Sequence, residues 1–332
     1  MSLGVYFDGF CPTREMLEVA QAAEAAGADS LWFAQHMGFR EAIVWATAAV
    51  SVTSTIRLVP TAISPYLWPP LPVAMSMSTL AEYAGPRTSL AVSVGNVLNL
   101  AESGAEPVKP VRVMREYVQM LRALWAGEPV QADGELHRLR GAKMMFERGV
   151  QCPLYVASTG PQVLKLAGEI GDGILLSGAL TLESCRSMLT HVDAGIAAAA
   201  RDPRSVRKAG FILLSIAGDG HVARQEMLRK LAFLFRSKGH AANIATANLG
   251  IDHPAIMAAY ARHDPEAALQ YLPEAAATTF AVSGTPRECR DQLAAYLASG
   301  MDEPIVEVTG TADQRRLAIE LIRDVCGKAG GR

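Results

Sequence analysis

The chain has 332 residues, half of them hydrophobic, and a formal net charge of −2. This length and apolar content are typical of a globular enzyme, and the near-neutral charge gives no reason to expect nucleic acid or an anionic membrane surface as a partner. The apolar runs stop well short of the roughly 20 residues that a membrane span needs, so no membrane association is predicted.

The cysteines and the first residues predict a cytoplasmic location. Five cysteines lie far apart in the sequence, which favours free thiols in a reducing compartment over a disulfide framework. The segment MSLGVYFDGF has no basic residues before its apolar stretch, which argues against a signal peptide. The sequence has no CxxC or HExxH motif, so we expect no metal site.

Eight apolar segments rich in β-branched and aromatic residues are predicted to be strands. In chain order they are 3–7, 30–34, 56–64, 88–95, 153–158, 173–178, 210–218 and 304–310. Helical patterns lie between and after them, at 13–27, 40–53, 71–85, 109–127, 160–171, 183–200, 222–237, 286–299 and 312–326. An open doubly wound sheet would also alternate strands and helices, but the count of eight favours a closed (β/α)8 TIM barrel.

Two stretches exceed what a barrel of about 250 residues needs. One is 96–108 together with 128–152, and the other is 238–285, a helical insertion between strands seven and eight. Segments of this length in compact domains are often functional, and 238–285 is long enough to form a lid over the pocket. We therefore expect one barrel domain over 1–332, with 238–285 as an insertion within it.

Enzymes with this fold place their active site at the carboxyl ends of the strands. The predicted ends are rich in small and polar residues: Phe7, Asp8, Gln35, His36, Ser64, Gly95, Asn96, Ser158, Thr159, Gly160 and Ser177. Asp8 is the one carboxylate among them, and no Ser-His-Asp order is recognisable. A site with so little acid, base or nucleophile of its own is typical of an enzyme that takes its chemistry from a cofactor.

The segment 153–178, PLYVASTGPQVLKLAGEIGDGILLSG, predicts a strand, a tight turn, a helix and a strand. Its turn, Ser158-Thr159-Gly160, precedes Pro161 at the helix start, where free backbone amides and the positive dipole end suit a phosphate. The same spacing also fits an ordinary capped βαβ unit. Lys109 and Arg112 are candidate cations for the phosphate, but they also fit a solvated helix face.

Several long segments resemble the bacterial-luciferase-like flavin oxidoreductases. They are SLWFAQH, TSTIRLVPTAISPYLWPPLPVAMSMSTLAEYAGPRTSLAVSVGN, VQMLRALWAGEPV, the segment 153–178 and FAVSGTPRECRDQL. Within this family, HRLRGAKMMFERG and AARDPRSV are similar to segments of the methylenetetrahydromethanopterin reductase group. The resemblance implies a (β/α)8 barrel with coenzyme F420, a deazaflavin, or FMN as its cofactor.

The resemblance also implies roles at the ends of strands two and three. A non-prolyl cis peptide of the deazaflavin members would fall at Thr61-Ala62, although a plain bulge would explain the same segment. His36 matches a position beside the cofactor ring, where it could donate a hydrogen bond or transfer a proton. The preceding residue is often acidic in the reductase group, and here it is Gln35.

Further positions follow from the resemblance and from residue chemistry. The expected cofactor contacts are Thr61, Ala62, Ser64, Gly95, Asn96, Ser158, Thr159, Gly160 and Ser177. The expected catalytic residues are His36 and Asp8, and the expected substrate contacts are Phe7, Gln35, Tyr66 and Trp68. Tyr66 and Trp68 could stack on a flat substrate, or they could pack beneath the Pro-rich loop.

We therefore expect a deazaflavin-dependent oxidoreductase that transfers a hydride to a C=N or C=C bond of a small organic substrate. One alternative is an FMN-dependent monooxygenase that receives reduced flavin from a separate reductase. Another is a cofactor-less barrel that serves as a binding subunit. The family resemblance further implies a homodimer.

Overall fold

The computed structural model describes residues 2–146 and 150–327, apart from the side chain of Leu98. Within these residues the strands, in chain order, are β1 (Gly4–Phe7), β2 (Ser30–Ala34), β3 (Arg57–Thr61), β4 (Leu90–Ser93), β5 (Val130–Asp133), β6 (Arg138–Ala142), β7 (Leu154–Ala157), β8 (Gly173–Leu176), β9 (Arg207–Ile212), β10 (Leu214–Ile216), β11 (Val282–Gly284) and β12 (Glu303–Glu307).

The helices of the described residues form the outer layer. They are α1 (Thr13–Ala25), α2 (Ala42–Val50), α3 (Pro70–Ala84), α4 (Val97–Glu102), α5 (Pro110–Ala126), α6 (Pro161–Ile170), α7 (Leu182–Ala198), α8 (Gly220–Phe235), α9 (Ala241–Ala247), α10 (His253–Ala261), α11 (Pro265–Leu269), α12 (Ala276–Thr279), α13 (Pro286–Leu297) and α14 (Ala312–Gly327). In the described part of the chain, no helix is long and apolar enough to cross a membrane.

The predicted barrel is confirmed. Within the described residues, eight parallel strands pair in the order β3-β2-β1-β12-β9-β8-β7-β4. Parallel bridges from Leu58 to Thr88 and from Ile63 to Val92 join β3 to β4 and close the ring. These eight strands overlap the eight segments that the sequence predicts as strands.

Two features differ from the prediction. β5 and β6 form an antiparallel hairpin in the stretch 128–152, for which the sequence predicted neither a helix nor a strand. The predicted strand 210–218 begins earlier, at Arg207, and is interrupted at Leu213. Its second half, β10, leaves the barrel and pairs with β11 just before α13.

The helical character of the insertion 238–285 is also confirmed. It contains α9 to α12 and ends in β11. Its apolar side chains share a core with α8 that includes Leu231, Phe235, Ile256 and Phe280. The insertion is therefore anchored by buried side chains of its own.

Alternate residues of each barrel strand belong to different cores. The barrel interior contains the buried side chains of Trp32, Val59, Ala91, Tyr155, Leu175, Ala209 and Ile305. The residues between them, such as Leu31 and Phe33 of β2, belong to the larger core between the barrel and its helices. This alternation determines which side chains at the strand ends can face the mouth of the barrel.

Candidate active site at the mouth of the barrel

The mouth is the carboxyl end of the barrel, where the interior core meets the loops. Tyr6, Ala62, Ala157 and Phe211 are partly buried and pack on that interior core. The rings of Tyr6 and Phe211 lie 4.2 Å apart between centroids. The mouth therefore combines an aromatic side, formed by β1 and β9, with small side chains on β3 and β7.

The side chain of Phe7 lies on the outer face of β1, in the core between barrel and helices, and its contact with substrate stays a prediction. Phe7 is 3% exposed, and it stacks on Phe33 with ring centroids 5.4 Å apart. Its edge also meets Trp45 of α2. The residue of β1 that packs on the barrel interior is Tyr6, which sequence reasoning missed.

His36 and Asp8 meet at the ends of the neighbouring strands β2 and β1. The Nδ1 atom of His36 lies 2.8 Å from the backbone carbonyl oxygen of Asp8. A carbonyl can only accept, so Nδ1 carries the hydrogen, and Nε2 is the ring atom left to accept or release a proton. The Asp8 carboxylate accepts a hydrogen bond from the backbone N–H of Phe10. The predicted catalytic pair is thus brought together by a fixed contact.

Gln35 makes a structural contact with the start of α2. Its Oε1 accepts a hydrogen bond of 2.9 Å from the backbone N–H of Ala42, the first residue of α2. One of the free amides at the start of that helix is thereby satisfied. The side chain oxygen is directed toward α2, and a contact of Gln35 with substrate stays a prediction.

The peptide bond between Thr61 and Ala62 is cis, as the family resemblance implies. Thr61 is 2% exposed, and its Oγ1 atom has no hydrogen-bond partner among the described residues. Ser64 is different, because its hydroxyl donates to the carbonyl of Val94 at 2.7 Å. Ser64 thus fastens β3 to the loop after β4, and this contact occupies the donor predicted for the cofactor.

Gly95 and Asn96 follow β4 as predicted. Gly95 has φ of +102°, and an added Cβ would lie 3.2 Å from Ser64 Oγ and 3.3 Å from Leu100. Both the backbone conformation and the space therefore require glycine there. Asn96 is exposed beside it. Their role as cofactor contacts stays a prediction.

The loop after β3 uses its aromatic residues for packing. The Tyr66 hydroxyl donates to the carbonyl of Val108 at 2.7 Å, and burial raises the pKa of Tyr66 to about 12. Trp68 packs against the core between barrel and helices, and its carbonyl accepts from the Tyr117 hydroxyl. These contacts favour the packing alternative over stacking on substrate.

The predicted phosphate turn lies at the start of α6. The hydroxyl of Ser158 accepts from the backbone N–H of Gly160, and Thr159 is exposed. Pro161 is the first residue of α6, so the amides of the first helical turn have no partner within the helix. Ser177, at the end of β8, is exposed as well. The geometry is compatible with an anion at the amino end of α6.

The predicted phosphate partners Lys109 and Arg112 are already paired. The ammonium group of Lys109 lies 2.7 Å from Glu135 at the hairpin tip, and the guanidinium of Arg112 lies 2.7 Å from Glu116 of α5. The guanidinium of Arg112 also lies 3.3 Å from Glu135, so both cations are paired with carboxylates of α5 and of the hairpin tip. Their alternative interpretation, as a solvated helix face, is the better one.

Sequence reasoning also missed Glu307, the last residue of β12. It pairs in register with Tyr6 of β1 and is 3% exposed. Lys230 of α8 forms an ion pair with its carboxylate, and Asp8 lies within hydrogen-bonding reach. Burial raises the pKa of Glu307 above its ordinary value against the effect of Lys230, and Asp8 adds to the rise. The available signal was a charged residue inside the apolar run PIVEV.

Tyr6 completes this group of ionisable residues at the mouth. Burial, together with the nearby Glu307 and Asp8 carboxylates, raises the pKa of Tyr6 well above its ordinary value. The phenol is a hydrogen-bond donor at neutral pH, as an ordinary tyrosine is, and the raised pKa extends this to more alkaline conditions. The mouth has more acid–base chemistry than the sequence suggested: Tyr6, Asp8, His36 and Glu307.

Comparison with known proteins identifies the family of this chain. Residues 8–303 match the sequence profile of the family described as luciferase-like monooxygenase. The chain belongs to the luciferase-like monooxygenase family. The resemblance drawn from the sequence segments is thereby confirmed.

Within the luciferase-like monooxygenase family, similar proteins cover nearly the whole chain. The 5,10-methylenetetrahydromethanopterin reductase of Methanolobus tindarius is 28% identical over 326 residues, which are 97% of this chain and 98% of that protein. The F420-dependent glucose-6-phosphate dehydrogenase of Mycobacterium tuberculosis is 29% identical over 323 residues, 92% of this chain and 91% of the relative. These proteins also confirm the likeness to the reductase group.

The fold is shared with a solved structure. The coenzyme F420-dependent tetrahydromethanopterin reductase of Methanopyrus kandleri superimposes with a TM-score of 0.87 at 22% identity, covering 97% of each chain. That similarity supports the (β/α)8 architecture.

The residues at the mouth fit a flat cofactor with a phosphate tail. The buried Thr61 hydroxyl, which has no partner among the described residues, and the small Ala62 and Ala157 offer a polar atom and space beside a ring. The turn 158–160 leads into α6, whose first-turn backbone amides would face a phosphate at that end of the helix. Thr61, Ala62 and the turn 158–160 are therefore the residues that would hold such a group.

Proposed function

We propose that the protein is a coenzyme F420-dependent oxidoreductase that transfers a hydride to a C=N or C=C bond of a small organic substrate. When bound, the reduced deazaflavin supplies the hydride. The chain must hold the substrate over the mouth and provide the proton that completes the reduced bond. No part of this reaction needs a nucleophile from the protein.

The choice of deazaflavin rests mainly on the Mycobacterium tuberculosis relative, which is named as F420-dependent and is 29% identical over 92% of this chain. The reductase of Methanolobus tindarius supports the direction of transfer, since its name specifies a reduction. Deazaflavins act as hydride carriers, so such a site requires only a positioned substrate and a proton donor.

The ionisable residues at the mouth support the proposal that the protein itself supplies the proton. His36 has its Nδ1 hydrogen fixed on the Asp8 carbonyl, which orients the ring and leaves Nε2 for exchange. Tyr6 has a pKa raised by burial and by the nearby Glu307 and Asp8 carboxylates, so its protonated phenol can donate a hydrogen bond at this side of the mouth. A substrate atom that gains negative charge as the hydride arrives could be neutralised from this side.

The experiment is a pair of anaerobic titrations of the purified protein with F420 and with FMN, followed by cofactor fluorescence. We expect F420 to bind at least about tenfold more tightly, a difference of about 1.4 kcal/mol. Riboflavin, which lacks the phosphate, is the matched control for the contribution of the turn 158–160. Reduced F420 is then mixed with C=N and C=C acceptors, and its reoxidation is followed by absorbance.

The second candidate, an FMN-dependent monooxygenase, is favoured by the description of the family profile. Tighter binding of FMN, with oxygen consumption on addition of reduced FMN, would replace the first proposal by this one. Failure to bind either cofactor would leave a barrel that serves as a binding subunit.

A further inference from the structure

A cavity lies beside the mouth, between β10, β12, α8 and α14. It has a volume of about 100 Å³, and its polar lining residues are Ser215, Glu226, Lys230, Glu307, Thr309 and Gln314. Glu226 and Gly310 at its outer side are exposed, whereas Glu307 at its inner side is buried. A polar cavity of this size has room for several water molecules. It therefore links solvent to Glu307.

Glu307 separates this cavity from the candidate active site. Its side chain is 2% exposed and lines the cavity, and it also lies within hydrogen-bonding reach of Asp8 at the mouth. Asp8 in turn binds His36 through its backbone carbonyl. Because β1 and β12 are paired with Tyr6 opposite Glu307, this arrangement is fixed by the sheet register.

We propose that Glu307 is a positioning residue for proton transfer, which passes protons from the cavity to Asp8 at the mouth of the barrel. This inference rests on the proposed function, because adding a hydride to a C=N or C=C bond requires one proton from elsewhere. The proton held by the Glu307 carboxyl moves to the Asp8 carboxylate and from there to the substrate atom, and cavity water then returns a proton to the Glu307 carboxylate. Each group returns to its starting state when the next proton arrives.

The surroundings of Glu307 suit proton exchange better than a permanent charge. The charged or titratable groups around it are Tyr6 and Asp8 on β1 and Glu226 and Lys230 on α8, while β10 and α14 contribute the neutral Ser215 and Gln314. Lys230 favours the charged carboxylate, whereas burial and Asp8 favour the protonated one. With these effects opposed, the group can gain and lose a proton.

Infrared spectroscopy of the cofactor-free protein tests this without turnover. A protonated buried carboxyl gives a C=O stretching band, which we expect in wild type and Glu226→Gln and expect to be lost in Glu307→Gln. Asp8→Asn should shift the band, because it removes the neighbouring carboxylate. On transfer to D2O the band should shift within the mixing time, since the cavity connects to solvent. A band that is absent throughout the acidic and neutral range, or one that exchanges over hours, would overturn the proposal.

Turnover gives the second test once an acceptor is known. Glu307→Gln should lower kcat at least about tenfold, with unchanged F420 affinity and an increased solvent isotope effect. Glu307→Asp should restore part of the rate, and Glu320→Gln on the exposed face of α14 is the control. If Glu307→Gln destabilises the fold, we measure the double variant Lys230→Met/Glu307→Gln in its place. The double variant also removes the cation that would otherwise lose its partner. An unchanged kcat would refute the relay, whereas an inactive wild type with a normal infrared response would refute the proposed function alone.

Discussion

Glu303 and Glu307 stand on the same interior face of β12, four residues apart and with Ile305 between them. Both are buried, but Glu303 lies at the amino end of the barrel and Glu307 lies at the carboxyl end, the mouth. Glu303 is held by the guanidinium groups of Arg57 and Arg207 and by the hydroxyl of Ser30. Glu307 at the mouth has the Lys230 ammonium and the like-charged Asp8 as neighbours.

The pKa values of the two carboxyls shift in opposite directions for this reason. Burial works to raise the pKa of Glu303, but Arg57 and Arg207 outweigh it, and the pKa lies below its ordinary value. At Glu307, burial outweighs the single lysine and the pKa is raised. The Glu303 carboxylate therefore stays charged and links strands at the amino end of the barrel. The Glu307 carboxyl is suited to exchange protons at the mouth.

The first prediction concerns the base of the barrel. Glu303→Gln should lower the free energy of unfolding by about 3 kcal/mol, the lower end of the range for breaking a buried ion pair, since both arginines are partly exposed. Urea unfolding followed by circular dichroism measures this, with the exposed Glu320→Gln as the control.

The same variant tests the pH dependence of stability. Because the folded pKa of Glu303 is lowered, its contribution to the free energy of unfolding is present above the ordinary glutamate pKa and lost as pH falls through the folded pKa. The gap between wild type and variant should therefore narrow in acid, and a gap that widens there would contradict this assignment.

A second prediction concerns Gly4, which faces the interior beside Ile305 in the paired strand. A Cβ at this position would lie 2.7 Å from Ser30 Oγ and 3.0 Å from Trp32 Nε1, two atoms that share a hydrogen bond. Gly4→Ala should thus destabilise by about 1–3 kcal/mol through overpacking. Gly218→Ala is the matched control, because a Cβ there meets nothing within 4 Å. Equal stability of the two variants in thermal unfolding would show that the interior layer adapts more easily than its packing suggests.

The sequence allowed the order of the eight strands to be predicted, because each is a short apolar run followed by a helical pattern. It did not reveal which side chains face inward. Both faces of a barrel strand are buried, so the alternation of polar and apolar residues is lost, and Tyr6 could not be told from Phe7. The hydrogen bond between Gln35 and the amide of Ala42 could not be predicted either, because the two groups meet only when α2 is in place.

Glu307 was missed for a related reason. Its partner Lys230 lies 77 positions earlier on α8, and the two meet only because that helix packs beside the end of β12. The hairpin β5–β6 was missed because its strands alternate polar and apolar residues over only a few positions. Family resemblance located the segment of β3 that carries the cis peptide, which no local pattern would have identified.

The last prediction tests the anion site at the amino end of α6. Thr159 is exposed in the turn between β7 and that helix, which begins at Pro161 with first-turn amides that have no partner within the helix. Thr159→Glu places a carboxylate where the cofactor phosphate would bind, and the same charge near the positive end of the helix dipole favours the fold. The melting temperature of the cofactor-free protein should therefore stay close to that of wild type.

Cofactor affinity should respond differently to the same change. We expect Thr159→Glu to weaken F420 binding at least about tenfold, or 1.4 kcal/mol, because two negative groups would compete for one set of amides. Thr190→Glu introduces the same charge at an exposed position on α7 and should bind as wild type does. The loss should also shrink as salt is added, since the repulsion acts partly through solvent. Equal affinity of Thr159→Glu and Thr190→Glu would mean that the phosphate binds elsewhere on the barrel.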